Sequence, residues 1–273
     1  MTGIAPRNQD RASGAVVAVL CVAFALFFVL PFAGLIERAL REGETWDFVT
    51  SEVARDALWL SLWTSTVTVV LAVVVGTPVA YAVSRGRFRG RALVDALIDL
   101  PIVLPPTVAG VALLTAFGRR GLAGEPLEDL TGFSPGFTTI AVVMAQTLVA
   151  TPFFVRAARS GFDAVDPQYE RVAYTLGASR VRTFLRVVVP QARPALLAGV
   201  VLCWARAMGE LGATLIFAGN FQGETQTMPL AIIQTFESSA GLTGAVALSL
   251  LLLAVALAVL VAFRVAQRDV RVL

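Results

Sequence analysis

Two side chains of opposite charge, Arg206 and Glu210, lie inside an otherwise uncharged apolar stretch. A spacing of four residues places them on one face of a helix, where a guanidinium and a carboxylate can pair. A charge at the centre of a membrane-spanning helix costs about 2.5 to 3.5 kcal/mol on insertion scales, so such residues generally face a protein interior or a polar passage. The sequence leaves two roles open: a structural ion pair, or a gate in which Arg206 helps an anion pass while Glu210 prevents tight binding.

Other kinds of site chemistry are restricted by what the chain lacks. All 22 basic residues are arginines, and the chain has no histidine. Without lysine it cannot contain the GxxxxGK[ST] loop, so it cannot be an ATPase of that type. Without histidine, the commonest general base and metal ligand are missing. Cys21 and Cys203 match no zinc, haem or redox spacing, so we expect no disulfide, no metal site, no bound cofactor and no catalytic residue.

The elements that carry the charged pair are predicted to be membrane helices. The chain has 273 residues, of which 57% are hydrophobic, and this composition is too apolar for a soluble domain. About 20 apolar residues are needed to cross the hydrocarbon core. Six stretches meet this requirement, the fifth despite its two charges: Ala15–Ile36, Ala57–Ser84, Leu100–Gly118, Leu130–Val155, Pro194–Phe217 and Ser238–Phe263.

The distribution of arginine predicts how these spans are oriented. Connections 85–99 and 156–193 hold four and seven arginines, and the C-terminal segment holds three more. The other three connections hold more acidic residues than arginines. Because cytoplasmic connections concentrate positive charge, both termini are predicted to be cytoplasmic. The domain prediction is a cytoplasmic tail over 1–14, one transmembrane domain over 15–264 and a second cytoplasmic tail over 265–273.

Connection 156–193 contains a predicted pair of short helices. Asp166 followed by Pro167 is typical of a helix start, because the carboxylate can cap the helix and proline has a helical φ. Apolar residues then recur with helical spacing up to Leu176. Gly177 can adopt the left-handed conformation that ends a helix, and Ser179 can cap the next one.

The second helix of the pair has a similar pattern. Val181, Phe184, Leu185 and Val188 are predicted to form its apolar face, and Pro190 to stop it before the fifth span. Its arginines allow two interpretations: an amphipathic hairpin on anionic lipid headgroups, or a docking element for a partner protein. Glu170 and Tyr174 favour the docking interpretation for the first helix, because they suit a protein groove better than a negative surface.

Several prolines and one polar loop are further candidates. Pro101, Pro105, Pro106 and Pro152 lack the amide hydrogen that a helix needs, so the third and fourth spans are predicted to be bent or broken. Broken backbone at membrane depth is tolerated where it lines a cavity, which makes Pro105 and Pro106 candidate passage residues. The predicted outer loop "GNFQGETQTMPL" is either an ordinary turn or a docking face for a substrate-binding protein, with four candidate residues: Asn220, Thr225, Gln226 and Thr227.

The paired-helix loop carries a family resemblance. The pattern Glu170-x-x-Ala173-x-x-Leu176-Gly177, with Pro190 thirteen residues after the glycine, resembles the EAA loop of permease subunits of bacterial ABC importers. Arg171 and Val172 stand where many family members have alanine. In that family the loop forms coupling helices that sit in a groove of the cytoplasmic ATPase. The resemblance implies a coupling role for nine residues: Asp166, Glu170, Arg171, Ala173, Leu176, Gly177, Ser179, Arg180 and Pro190.

Four other segments resemble the oxyanion permeases of the molybdate and sulfate group. They are "LPIVLPPTVAG" (100–110), "AQTLVATPFFVRAARSGFDAVD" (145–166), "RAMGELGATLIFAGN" (206–220) and "TQTMPLAI" (225–232). The last two are more similar to molybdate permeases. The resemblance implies an all-α integral membrane fold with six spans, similar to type I ABC importers, in a bacterial plasma membrane.

The same resemblance implies the partners and the mechanism. It predicts a homodimer of permeases, two ATPase subunits that use ATP and magnesium, and an external protein that binds molybdate or tungstate. Alternating access would be driven through 166–190. Two alternatives stay open: sulfate or thiosulfate as cargo, and an ion-coupled secondary transporter with Glu210 as its proton site.

Overall fold

The fold is built almost entirely from helices. The structure is a computed structural model that describes residues 9–43, 45–86 and 88–270. Within these ranges there are thirteen α-helices and one π-helical segment, Phe184–Val188. In chain order the α-helices are α1 (Gln9–Arg41), α2 (Thr45–Val49), α3 (Glu52–Arg85), α4 (Arg91–Val103), α5 (Pro106–Phe117), α6 (Gly124–Thr131), α7 (Thr139–Ala164), α8 (Pro167–Thr175), α9 (Arg180–Thr183), α10 (Val189–Met208), α11 (Gly212–Ala218), α12 (Met228–Glu237) and α13 (Gly241–Val270).

The predicted all-α membrane fold is confirmed. Five helices are long and apolar enough to cross a membrane, and the bent pair α4–α5 can supply a sixth span. The described ranges contain no β-strand. Helix α1 begins at Gln9 and α13 extends to Val270, so both predicted tails include helical residues; residues 1–8 and 271–273 lie outside the described ranges.

The third span is broken, as its prolines predicted. The direction of the chain changes by 117° between α4 and α5. Leu104 and Pro105, both in extended backbone conformation, separate them. The span lies over 91–117 instead of Leu100–Gly118, because Pro101 is accommodated inside α4 and only the Pro105–Pro106 pair interrupts the helix. Pro152 does not interrupt α7.

The fourth span begins nine residues later than predicted. Gly132 adopts a left-handed conformation and ends α6, and α7 begins only at Thr139, where the Thr138 hydroxyl accepts the Ala141 N–H at 3.3 Å. The helix then continues past two arginines that had been placed in the connection. Arg156 and Arg159 pair with Asp99 and Asp95 of α4 at 2.8 and 2.5 Å, and these pairs stabilise charge at the end of the span.

The fifth span is also broken, at a place that the sequence did not predict. Helix α10 ends at Met208, and the short helix α11 starts at Gly212. The charged pair is therefore not on one continuous helix. Arg206 lies in the last turn of α10, and Glu210 lies in the break.

The arginine-rich connections lie together at one end of the bundle, and the acidic connections lie together at the other end. At the arginine-rich end, the Ser84 hydroxyl donates to Asp163 at 2.5 Å. At the acidic end, the Phe137 N–H donates to the Phe217 carbonyl at 3.1 Å, and the Thr139 hydroxyl donates to the Glu224 carbonyl at 2.8 Å. This arrangement agrees with the predicted alternation of the spans.

The core lies around α7, which packs against α3 and α10. Small residues allow the close approach: a Cβ atom on Gly161 would lie 2.6 Å from Ala195 Cβ, and one on Gly76 would lie 2.9 Å from Val155 Cγ2. Such small-residue contacts stabilise helix pairs in membranes, where the hydrophobic effect contributes little to helix association because the surrounding lipid is itself apolar.

Packing of the two half-helices α5 and α11 leads to a stability prediction. A Cβ atom on Gly110 would lie 2.8 to 2.9 Å from Ile216 Cβ and from the Ala213 backbone. The backbone cannot yield as a side chain can, so we expect Gly110→Ala to destabilise the protein by about 1 to 3 kcal/mol. Thermal unfolding in detergent measures the effect. Gly34→Ala in α1 is the control, because nothing lies within 4 Å of its Cβ position; equal midpoints for both variants would contradict the packing argument.

Candidate functional site

The predicted site residues lie in three separate places: the paired-helix loop at the arginine-rich end, the break between α10 and α11, and the loop at the acidic end.

The first predicted helix of the loop is confirmed as α8. Asp166 precedes it, and its carboxylate accepts the Gln168 N–H at 2.8 Å. Gly177 has a φ of +81°, which is the left-handed conformation that glycine permits. The Ser179 hydroxyl accepts the Arg182 N–H at 3.3 Å and caps α9.

The second predicted helix does not stop at Pro190. It consists of α9, the π-helical segment and α10, and together these run without a break from Arg180 to Met208. The Val189 N–H donates to the Phe184 carbonyl five residues back. This wider turn accommodates Pro190, which has no N–H and whose ring would collide with a carbonyl in a regular α-helix. Pro190 therefore marks the junction of loop and span instead of a helix end.

An apolar surface of the loop is exposed at the arginine-rich end. Leu176 is 82% exposed. Four other large apolar side chains of the loop are more than half exposed, namely Tyr169, Val172, Val181 and Leu185, whereas Tyr174 is 41% exposed. Arg171 and Arg180 are also exposed, whereas Ala173 is half-buried. We call Tyr169, Val172, Leu176, Val181 and Leu185 the loop surface.

The predicted apolar face of the second helix is only partly correct. Val188 is fully buried and Phe184 is half-buried, but Val181 and Leu185 are exposed. Thr183 is buried in their place. Leu185 lies inside the π-helical segment, whose wider turns depart from a 3.6-residue period. Val181 precedes that segment, in the short helix α9.

Glu170 faces the protein interior, where we had expected it to face a partner's groove. It is 7% exposed. Its Oε1 pairs with Arg85 Nε at 2.8 Å, and its Oε2 accepts the Tyr81 hydroxyl at 2.7 Å. Neither Tyr81 nor Arg85 was predicted as a site residue, because the position of Arg85 at the end of a span is already explained by membrane orientation. We call Tyr81, Arg85 and Glu170 the Glu170 cluster.

The predicted ion pair at the break is present. Arg206 Nη2 lies 2.7 Å from Glu210 Oε2, and Glu210 Oε1 accepts the Ala213 N–H at 2.8 Å. The Glu210 side chain is fully buried, whereas that of Arg206 is 27% exposed. Each charge suits its helix end, because a cation is favoured at the C-terminus of α10 and an anion at the start of α11.

The two broken spans touch at their breaks. A Cβ atom on Gly212, the first residue of α11, would lie 3.1 Å from both the Cβ of Pro106 and the backbone nitrogen of Thr107 in α5. Gly212 follows Glu210 by two residues, so this contact brings Pro105 and Pro106 close to the Arg206–Glu210 pair. Interrupted helices at membrane depth are characteristic of transport proteins, so the joined breaks fit a passage or gate.

The candidate residues of the outer loop mainly form hydrogen bonds within the loop and to the helix that follows it. Thr225 Oγ1 accepts the Phe221 N–H at 3.0 Å, and the Gln226 amide donates to Asn220 at 3.0 Å and also to Gln234. Thr225, Gln226 and Thr227 are buried. A polar cleft of about 180 Å³ opens beside them, lined by Val53, Gln222, Gln226, Gln234, Thr235 and Ser238.

The described residues offer no group of three or more cysteines, aspartates or glutamates that could hold a metal ion. Both cysteines are free thiols, with Cys203 buried and Cys21 exposed.

The fold and the loop define a class of protein, the membrane permeases. The chain belongs to the family described as binding-protein-dependent transport system inner membrane component, whose model matches residues 70–272. The family places it in the inner membrane.

Comparison with individual proteins narrows the relationship. The chain is 39% identical over 153 residues to the molybdenum transport system permease protein ModB of Escherichia coli K12, covering 56% of this chain and 67% of that protein. It is 47% identical over 152 residues to the protein of the same name from Mycobacterium tuberculosis, covering 56% of each chain. It is also 36% identical over 153 residues to a probable sulfate transport system permease protein, cysT, of Chlorokybus atmophyticus, covering 56% of this chain and 53% of that protein. The matched segment therefore spans between about half and two thirds of these relatives.

Solved structures share the architecture. A bacterial alginate ABC transporter in complex with its periplasmic protein has a chain that matches 96% of this one with a TM-score of 0.76 and 15% identity. The MetNI methionine ABC transporter matches 78% of this chain and 94% of its own with a TM-score of 0.59 and 16% identity. At such identities the likeness shows a shared fold, that of ABC importer permeases.

Proposed function

We propose that this protein is the membrane-spanning permease subunit of an ATP-driven molybdate importer, with tungstate as a second oxyanion it can carry. The chain itself performs no chemistry. Separate cytoplasmic ATPase subunits hydrolyse ATP with magnesium, and an extracytoplasmic protein delivers the anion. Two copies of this chain form the passage.

The observation that carries the ATPase assignment is the loop surface. It presents five large apolar side chains to the outside at the arginine-rich end, which the charge distribution predicts to be cytoplasmic. Exposed apolar patches of this kind mark sites of protein interaction. The lipid-headgroup alternative is less favoured for α8, because this helix carries a single arginine and helices that lie on anionic lipid are rich in basic residues on their polar face.

The cargo assignment is supported by the relatives named for molybdenum transport, which are more similar to this chain than the sulfate relative is. Sulfate is the second candidate because that relative also matches. Arg206 supports an anionic cargo of either kind, because it is a partly exposed guanidinium beside the joined breaks. A guanidinium attracts oxyanions and is always charged.

The proposed mechanism is alternating access. Closure of the ATPase pair moves the loop 166–190, and the spans open outward to receive the anion. Because coupling between two sites is reciprocal, delivery of the anion must in turn change the behaviour of the ATPase.

Uptake in proteoliposomes tests the proposal. The chain is reconstituted with its ATPase and its binding protein, and radiolabelled molybdate and sulfate are offered separately and in competition. We expect ATP-dependent molybdate uptake that excess tungstate inhibits. We also expect a preference for molybdate over sulfate of at least about tenfold, which corresponds to about 1.4 kcal/mol. Preferential sulfate uptake would assign the chain to the second candidate.

The same vesicles without the ATPase test the secondary-transport alternative. We expect no oxyanion uptake under an imposed proton gradient. Robust uptake in those vesicles would identify an ion-coupled transporter and contradict the proposed function.

A further inference from the structure

The Glu170 cluster connects the exposed loop to one particular span. Tyr81 and Arg85 are one helical turn apart at the end of α3, so their side chains share a face. Both reach Glu170 of α8, and each occupies a different carboxylate oxygen. The backbone of α8 packs mainly against residues 180–188, so this cluster is a principal link between α8 and a span.

Arg85 joins three elements at once. Its Nε donates to Glu170 Oε1 at 2.8 Å, and its Nη2 donates to the Val165 carbonyl at 2.6 Å. Val165 directly follows α7 and is its C-cap. The rigid fork of a guanidinium can make both bonds in different directions, whereas the single ammonium of lysine cannot reproduce that geometry.

Tyr81 extends the link to the second half of the loop. Its hydroxyl donates to Glu170 Oε2 at 2.7 Å. Its ring lies edge-on to Phe162 of α7, with centroids 5.6 Å apart, and 4.8 Å from the ring of Phe184 in the π-helical segment. A single residue of α3 therefore contacts both segments of the loop and the central span.

The two sides of α8 have different partners. Glu170 is on its inner side, with both oxygens bonded to α3, while Tyr169, Val172 and Leu176 are exposed on its outer side. A buried charge network with fixed partners resists rearrangement, since losing one partner leaves an uncompensated charge. Displacement of the outer side must therefore move the end of α3 or break the cluster.

We infer that Tyr81 and Arg85 are positioning residues that transmit displacement of α8 to α3, which makes α3 the span that ATP-driven motion of the loop acts on first. The inference rests on the proposed function, because it requires an ATPase that moves α8. It assigns a role to two residues outside the loop that the family resemblance singled out.

Two conservative variants test the transmission. Arg85→Lys keeps the positive charge but loses one of the two bonds, and Tyr81→Phe keeps the aromatic contacts but loses the hydroxyl. In the assembled complex we expect basal ATPase activity to persist in both. The ratio of ATPase activity with loaded binding protein to basal activity should fall at least about fivefold, the low end of usual coupling strengths. Arg89→Lys is the control, because Arg89 is an exposed arginine in the same connection.

Exchange of the charged partners supplies a second readout. Arg85→Glu alone and Glu170→Arg alone place like charges together and should uncouple transport from ATP hydrolysis. The double exchange should restore at least part of the coupling, because it brings opposite charges together again. A wild-type ratio in an assembled Tyr81→Phe complex overturns the inference, and that variant decides alone if Arg85→Lys does not assemble.

A distance measurement separates this inference from the identity of the cargo. Spin labels at Ala82 and Thr175, both exposed, report the separation of α3 and α8 in a cysteine-free chain bound to its ATPase. On addition of nucleotide we expect the distribution of distances between the two labels to stay unchanged in the parent chain and to broaden in Tyr81→Phe. A change of the same size in both chains overturns the inference, whereas failure of molybdate uptake in proteoliposomes affects only the proposed function.

Discussion

Replacing Leu176 with aspartate should abolish stable association with the ATPase and with it ATP-dependent uptake. Leu176 is 82% exposed at the turn after α8, so the unbound chain gains nothing structural from it. A well-packed apolar residue at an interface commonly contributes more than 1 kcal/mol to binding, and a carboxylate buried in its place adds a desolvation cost. We expect the affinity for the ATPase to fall at least about 30-fold, which corresponds to about 2 kcal/mol.

The matched control for this variant is Leu122→Asp. Leu122 is 88% exposed and lies between α5 and α6 at the acidic end of the bundle. The Leu122→Asp substitution adds the same charge at a position of similar exposure, but on the opposite side of the membrane. Co-purification of the tagged chain with the ATPase measures both variants. Normal association of Leu176→Asp, or equal loss in both, would contradict the assignment of the loop surface as the docking site.

The paired-helix loop shows how far local sequence patterns determine a candidate site. The capping roles predicted for Asp166 and Ser179 and the left-handed conformation predicted for Gly177 are confirmed, because these features depend on a few adjacent residues. Which way Glu170 points was not predictable in the same way. Its partners Tyr81 and Arg85 are 89 and 85 residues away in sequence, and an arginine at a span end is already explained by membrane orientation.

The spans show a similar limit. Hydropathy located all six apolar stretches, because the thickness of the bilayer imposes their length. It could not locate the break after Met208, since no proline marks it and the residues there are Gly209, Glu210 and Leu211. The break is accommodated by tertiary contacts: Glu210 accepts the Ala213 N–H, and Gly212 lies against Pro106. Such contacts join distant segments and leave no periodic pattern.

Breaking the Arg206–Glu210 pair should have the largest effect on the transmembrane part of the molecule. Glu210→Met would leave a guanidinium without its partner beside a fully buried position. Removing one member of a buried pair costs about 3 to 5 kcal/mol, and we expect the low end because Arg206 is 27% exposed and partly screened by solvent. Replacing both residues with methionine should restore most of that stability, because apolar side chains of similar volume can substitute for a buried pair.

Transport by the double variant decides between the two roles that the sequence left open. If the pair were only structural, uptake should recover together with stability. We expect stability to recover and uptake to remain at least about tenfold below the parent rate, because the passage would have lost the cation that attracts an anion. Recovery of both properties would leave the pair a purely structural role.

The mildest variant, Glu210→Gln, completes the test. Its amide oxygen can still accept the Ala213 N–H, so α11 should keep its start and the complex should assemble. Arg206 loses its counter-charge and should hold a passing oxyanion more tightly. We therefore expect the uptake rate or the basal ATPase activity to change severalfold, with a lower half-saturating oxyanion concentration. Parent kinetics for both activities would remove the pair from the transport mechanism, whatever its contribution to stability.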